Sequence, residues 1–419
     1  MELTVPFHRP QITDSEIAEV VASLRSGWLT TGPQVRRFES EFAAAVGARH
    51  AVALNSCTAA LHLAVEAVGL KRGEAVLVPT MTFAASAEVV RYRGAIPILV
   101  DVDPVTLHLD LGDAERKIDR FRRGALPPAV SRATRVAGIM PVHVGGVMMD
   151  IARVRRFAQA RGLWVIEDAA HAFPAAWRPD PEEPWQRCGE DTADVTCFSF
   201  YANKTITTGE GGMAVTRDES LSDRMRLMSL HGLSHDAWGR YTGSGAWDYR
   251  ILAPGYKYNM TDLAAAIGVA QLQRAEEMRR AREDRARRYL DLLRGIDEIE
   301  LPADEPDRLH AWHLFPIRLR TEALAVSRDE FLAELRRQGV GTSVHWRPLH
   351  LHPYYEETFG WTRSDFPSAS RVWERLVSLP LYPDLGDEEQ DHVVGRIEAL
   401  CRRHAASAVA AAAGAGAGT

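Results

Sequence analysis

Cysteine is scarce in this sequence: Cys57, Cys188, Cys197 and Cys401 are the only four, and none form a CxxC pair. That spacing suggests neither a zinc ribbon nor a disulfide framework. There is no uncharged apolar run of ~18 residues, so no transmembrane helix is expected. The first residues, MELTVPFHRPQITDSEIAEV, lack a basic stretch followed by an apolar core, which argues against a signal peptide. No GxxxxGK followed by Ser or Thr occurs, and no GxGxxG follows an apolar run, so the P-loop and dinucleotide fingerprints are missing. Charge of neither sign dominates: a net −6 over 419 residues gives no electrostatic reason to expect nucleic acid or an anionic membrane as partner. A cytoplasmic protein is expected.

What is present is ordinary globular material, 46% hydrophobic and 25% charged. The length implies two or about three domains. Through the first two thirds, short β-rich runs alternate with helical ones. AVAL (51–54), AVLVPT (75–80), IPILVDVD (96–103), VAGIMPVHV (136–144) and LWVIEDAA (163–170) read as strands, separated by segments such as TAALHLAVEAVGL and DIARVRRFAQARG. This alternation predicts an α/β fold with a mostly parallel central sheet covered by helices. VTCFSF (195–200) and GGMAVT (211–216) then read as two strands joined by a polar loop. From Thr261 one long helix is predicted to run to Gly295, capped by Thr261 or Asp262. Beyond it HLFPIRLR and GTSVHW read as strands, and SRDEFLAELRRQG and FPSASRVWERLVSLP as helices, in a smaller C-terminal α+β domain. The expected division is 1–260, 261–404 and a low-complexity Ala/Gly tail, 405–419, expected to be disordered. Segments 122–134 and 177–191 read as surface loops.

Lys204, in SFYANKTITTGEGG, follows an apolar strand. Burial disfavours an ammonium, and a neutral amine is what Schiff-base chemistry requires; a solvated loop lysine fits the same position. Asp168 stands at the carboxyl end of a strand, where ligands sit in open α/β sheets. There it either binds a pyridinium nitrogen or caps the next helix. His171, three residues on, either reaches the same ligand or is a satisfied core histidine. Ser56, Cys57 and Thr58 turn from a strand into a helix, which makes either an anion site or an ordinary cap. Phe83, after another strand end, is either an aromatic plate or core. In combination these features describe one site: an anion cradle, a plate, an acid and a lysine.

NSCTAALHLA, EDAAHA, SFYANKTITTGEGG, PGYKYNMTDLAAAIG and TSVHWRPLHLHPYY, within a span from HRPQITDSEIAEVVASLRSGWLTTGP to SLPLYPDL, resemble the DegT/StrS-type sugar aminotransferases of the fold-type-I (aspartate aminotransferase-like) superfamily. The resemblance implies pyridoxal 5'-phosphate as cofactor, covalently carried by Lys204, which then acts as acid and base. It implies Asp168 at the pyridine nitrogen, His171 at the ring hydroxyl and Phe83 on the ring. Thr58 with the neighbouring amides of Cys57, together with Ser199, is implied at the phosphate. Asn259 is implied at the phosphate of a second subunit, hence a homodimer with shared sites. Trp28, Thr30 and His345 are expected to border the substrate. Cys57 stands where many relatives carry Gly, and no role follows for it.

His171, ITTGEGG and YKYNMTD resemble enzymes acting at C4 of a nucleotide-linked keto-sugar, with L-glutamate as donor; a C3 sugar or keto-cyclitol substrate is the alternative. His310, His313, His345, His350 and His352 invite a metal reading, but their spacing matches no helix-borne HExxH and no metal centre is expected. A non-enzymatic regulator of the same fold would lack the lysine or the acid, and both are present.

Overall fold

The computed structural model describes residues 3–234 and 249–405. The predicted tail therefore lies outside the described residues from residue 406 onward.

Among the described residues, thirteen strands form three sheets. In chain order they are β1 (His50–Leu54), β2 (Ala75–Pro79), β3 (Ile96–Val100), β4 (Val136–Ile139), β5 (Trp164–Asp168), β6 (Ala176–Trp177), β7 (Gln186–Arg187), β8 (Val195–Ser199), β9 (Gly212–Thr216), β10 (Ile299–Glu300), β11 (Arg308–Leu309), β12 (Phe315–Leu319) and β13 (Leu376–Leu379). The main sheet has the order β1-β9-β8-β5-β4-β2-β3. Pairing is parallel from β8 through β3, while β9 runs antiparallel to both β8 and β1. All its strands except β9 therefore point the same way, and their carboxyl ends share one edge. Helices such as Cys57–Ala67, Ala85–Tyr92 and Ile151–Gln159 connect them. The five sheet residues of β2 are all buried, as a strand covered on both faces requires.

A second core gathers around β12 and β13 and the helices Ala275–Leu292, Arg328–Arg337 and Asp387–His404. It also takes in Val5. β11, β6 and β7 make the third sheet.

Three elements differ from the sequence reading. The long helix is broken: Asp262–Gln273 and Ala275–Leu292 meet at Arg274, at φ −108° and ψ 5°. The Arg274 guanidinium turns instead to Gln11 Oε1 (2.7 Å) and Glu16 Oε1 (3.4 Å). FPSASRVWERLVSLP is only half helix, ending at Trp373, because LVSL pairs with β12 and precedes Pro380, which disfavours a helical residue before it. GTSVHW is extended but joins a strand only through the single bridge Ser343 to Ser378. The two polar segments also carry structure, a short helix Pro128–Ser131 and strand β7, with Cys188 buried.

Thr261 caps its own helix, whereas Asp262 serves another. Its buried carboxylate accepts the amides of Gly32 (2.7 Å), Val35 (3.0 Å) and Gln34 (3.1 Å), at the start of the helix Pro33–Val46. Replacing it leaves three amides unpaired at a packed helix junction. Asp262→Ala is expected to cost about 2–5 kcal/mol, read as a clear fall in the thermal unfolding midpoint.

Candidate active site

A cavity of about 400 Å³ opens at the carboxyl edge of the main sheet. Cys57, Thr58, Phe83, Asp168, His171, Ser199, Lys204 and His345 all line it. The chain brings all of them but His345 together because β1, β2, β5 and β8 all end at this edge.

Lys204 sits in the connection between β8 and β9. That connection closes on itself through Phe200 N–H to Gly211 O (2.9 Å) and Thr208 N–H to Phe200 O (3.0 Å). Burial lowers the Lys204 amine from 10.5 to about 8, against the pull of Cys57 and Asp168 and with help from Arg282. Asp168 is pushed the other way: burial raises its carboxyl, opposed by hydrogen bonds from Ser86 Oγ (2.7 Å, to Oδ2) and Ala170 N–H (3.1 Å, to Oδ1). A buried acid raised and a buried amine lowered are short of counter-charge. A cationic ring N–H beside Asp168 supplies one.

His171 Nδ1 accepts the Gly145 amide (3.3 Å), which leaves the imidazole proton on Nε2. Burial, with Lys204 nearby, holds His171 well below the usual histidine range, so it is neutral. The Trp346 ring stacks on it, with centroids 5.0 Å apart. Phe83 is 61% exposed at the cavity, so it is no core residue.

The cradle is built by close approach. Ser56 Oγ caps the Ala59 amide (3.1 Å) at the start of the helix Cys57–Ala67, where first-turn amides have no partner within the helix. β9 presses against this turn: a Cβ on Gly212 would lie 2.4 Å from Ser56 C and 2.5 Å from Cys57 N. Burial pushes the Cys57 thiol up, and Asp168 adds to it, so it stays protonated.

Three expected residues do not line this cavity. Asn259 Nδ2 donates to Thr31 Oγ1 (2.7 Å), Trp28 Nε1 to Thr31 O (3.0 Å), and Thr30 O accepts the Asp262 amide (3.2 Å). They form one group beside the end of β1, where Asn259 bridges Leu54.

The histidine-rich segments separate. His345 reaches the cavity, and burial with Lys204 lowers it to about 4. His350 lies between Thr80 Oγ1 (2.8 Å) and Ser370 Oγ (3.0 Å), and His310 Nδ1 takes the Trp312 amide (2.7 Å). Sequence reasoning missed Ser86, Trp346 and the cavity position of His313. Ser86 lies in the first turn of the helix Ala85–Tyr92, where its hydroxyl meets Thr82 Oγ1 (2.7 Å) and Asp168 Oδ2, and nothing in the spacing pointed to it.

The comparisons agree with this geometry. The DegT/DnrJ/EryC1/StrS aminotransferase family pattern matches residues 10–398. The chain is 42% identical over 399 residues to the spore coat polysaccharide biosynthesis protein SpsC of Bacillus subtilis (strain 168), covering 95% of this chain and 97% of that one. Among solved structures it is similar to Spr1654 of Streptococcus pneumoniae, a sugar-aminotransferase candidate, in its PLP-form (TM-score 0.83, 30% identity, 96% of this chain and 98% of the other covered for the PMP-form, 96% and 99% for the PLP-form). It is also similar to S. venezuelae DesV in complex with a ketimine intermediate (TM-score 0.81, 29% identity, 96% and 99% covered). With a cavity whose residues fit pyridoxal phosphate, this chain is a pyridoxal-phosphate-dependent sugar aminotransferase and belongs to the DegT/DnrJ/EryC1/StrS family.

Proposed function

We propose that this enzyme takes nitrogen from L-glutamate and delivers it to the C4 keto carbon of a nucleotide-linked keto-deoxy sugar, in the cytoplasm, as a homodimer with shared active sites. The observation that carries the reading is the convergence of Lys204, Asp168 and His171 on one cavity. His171 within EDAAHA, together with ITTGEGG, supports C4.

When bound, pyridoxal phosphate supplies an electron sink for bond breaking at the carbon that bears the nitrogen. Asp168 would hold the ring nitrogen and its proton. His171, its Nδ1 engaged by Gly145, has Nε2–H to give to the ring hydroxyl. The amides of Cys57 and Thr58, with the hydroxyls of Thr58 and Ser199, would hold the phosphate, and Phe83 would cover the ring. Lys204 would carry the proton between the two carbons that exchange it, a task for a base within reach of both. His345, which lines the cavity, would border the sugar. A panel of nucleotide keto-sugars assayed with L-glutamate, with the product's amino position read by NMR, tests the substrate; an amine at C3 or no turnover with any nucleotide sugar overturns it.

Borohydride reduction should fix the cofactor on Lys204, and a modified peptide containing another lysine would refute that assignment. Because the amine is lowered to about 8, its neutral fraction grows as pH rises through that value. Covalent capture of added cofactor should therefore quicken up to about pH 8 and level off above it. Lys204→Ala should still bind the cofactor noncovalently and lose transfer.

Asp168→Ala removes the carboxylate that keeps the ring nitrogen protonated. Turnover should fall more than tenfold, over ~1.4 kcal/mol of barrier, with the unfolding midpoint retained; activity above a tenth of wild type contradicts the role.

The homodimer rests on Asn259. It lies outside its own chain's cavity lining, as a residue serving a second subunit's phosphate would. Asn259→Ala should weaken cofactor affinity by about 1–3 kcal/mol, and removing cofactor should weaken association, since a ligand held by both subunits favours the dimer. A fully active monomer in sedimentation would end the idea.

A further inference from the structure

We propose that His313 is a positioning residue for Lys204: its Nε2 hydrogen-bonds the lysine amine and aims it into the site. This rests on the reading of Lys204 as the cofactor lysine.

The backbone around His313 is gripped from two sides. Ala311 N–H donates to Gly146 O (2.9 Å) and Leu314 N–H to Gly145 O (3.1 Å). A Cβ on Gly146 would lie 3.1 Å from Ala311 Cβ and from His313 N, so the approach depends on glycine there. From the other side the buried Arg282 guanidinium donates to Trp312 O (3.4 Å) and Leu381 O (2.9 Å). Trp312 has φ +47°, the left-handed region, which turns the chain before His313.

The ring that results is buried and lines the cavity. Its Nε2 lies 3.5 Å from Lys204 Nζ, and its centroid is 4.1 Å from that of His171. Gly145 thus orients both histidines, His171 through its N–H and His313 through its C=O to Leu314.

His313 Nδ1 is buried with no hydrogen-bond partner. A purely structural core histidine ordinarily has its polar atoms paired. An unpaired N–H is worse than an unfilled acceptor, so the proton belongs on Nε2, pointed at Nζ. Only the neutral amine, the main form above about pH 8, can accept it. Burial, with His171 and Lys204 adjacent, holds His313 itself neutral. Around Lys204, Cys57 and Asp168 favour the ammonium and Arg282 opposes it, so His313 adds direction to an amine whose charge is already finely set.

The test compares His313→Phe, which keeps ring volume against His171, with His313→Gln, which returns an amide near Nε2. One readout needs no amino donor: after cofactor removal, pyridoxal phosphate is added back and the absorbance band of the lysine-linked form is followed. Its appearance should be at least about tenfold slower in the Phe variant, with noncovalent affinity unchanged, and within about threefold of wild type in the Gln variant. A second readout is single-turnover bleaching of that band by L-glutamate. Its limiting rate should fall on the order of 100-fold for Phe, with half-saturation unmoved and Gln largely rescued. A Phe variant within threefold of wild type in both readouts overturns the proposal, as does a Gln variant as slow as Phe or a Phe variant that never links the cofactor. Wild-type reduction mapping to a lysine other than Lys204 overturns instead the reading on which the proposal rests.

Discussion

The carboxylate of Asp168 is the constraint around which the site is arranged. It is buried at the carboxyl end of a central strand, and a charge there persists only if donors and cations face it. Ser86 and Ala170 supply the donors, and the backbone is clamped on both sides, Asp168 N–H to Pro141 O (2.9 Å) and His143 N–H to Asp168 O (3.1 Å). The nearby amine, Lys204, comes from beyond the adjacent strand β8. Had β8 been followed by another crossover helix, its exit would have carried the chain away over the sheet face. The antiparallel turn into β9 brings it straight back, and Lys204 with it. The same return seats Gly212 against Ser56 and Cys57. The lysine loop and the anion cradle are therefore fixed by one contact, and neither can shift without the other.

The sequence made the sheet edge legible because each apolar run stops at a chemically marked residue: Leu54 before Ser56, Pro79 before Phe83, Ile166 before Asp168, Phe198 before Ser199. A buried parallel strand announces itself by its run of apolar residues, and what lies just beyond faces the ligand. The break at Arg274 was not legible, since QLQRAEEMRR has unbroken helical preference. The chain turns there because Arg274 finds Gln11 and Glu16, residues more than two hundred positions away. His313 was hidden for a related reason. The histidines of HAWHLF match no ligand spacing, and the direction of the ring is set by a left-handed Trp312 and by two glycines in another part of the chain.

The opposite face of β5 repeats the problem of a buried charge and solves it differently. Side chains alternate across a strand, so Glu167 points away from the cavity that Asp168 faces. Its Oε2 accepts the hydroxyls of Thr192 (2.6 Å) and Thr196 (2.7 Å), and its Oε1 lies 3.6 Å from His143 Nε2. Among the described residues, His143, Glu167 and Cys188 are the trio whose ligand-type atoms fall within 4.8 Å of one another. Glu167 is held through Oε2 by the two threonines, while His143 Nε2 and Glu167 Oε1 have no hydrogen-bond partner. Met149 N–H donates to His143 Nδ1 (3.2 Å), so the proton of a neutral ring is on Nε2, the atom a metal would need bare. Burial pushes the Cys188 thiol up, with Glu167 adding to it, which keeps the sulfur protonated. The extension of β4 and the end of β5 meet here. The His143 ring faces Glu167 at 3.6 Å, beyond hydrogen-bond distance, while its backbone amide donates to Asp168 O (3.1 Å), so one residue stands between the acid on the hidden face and the acid in the site.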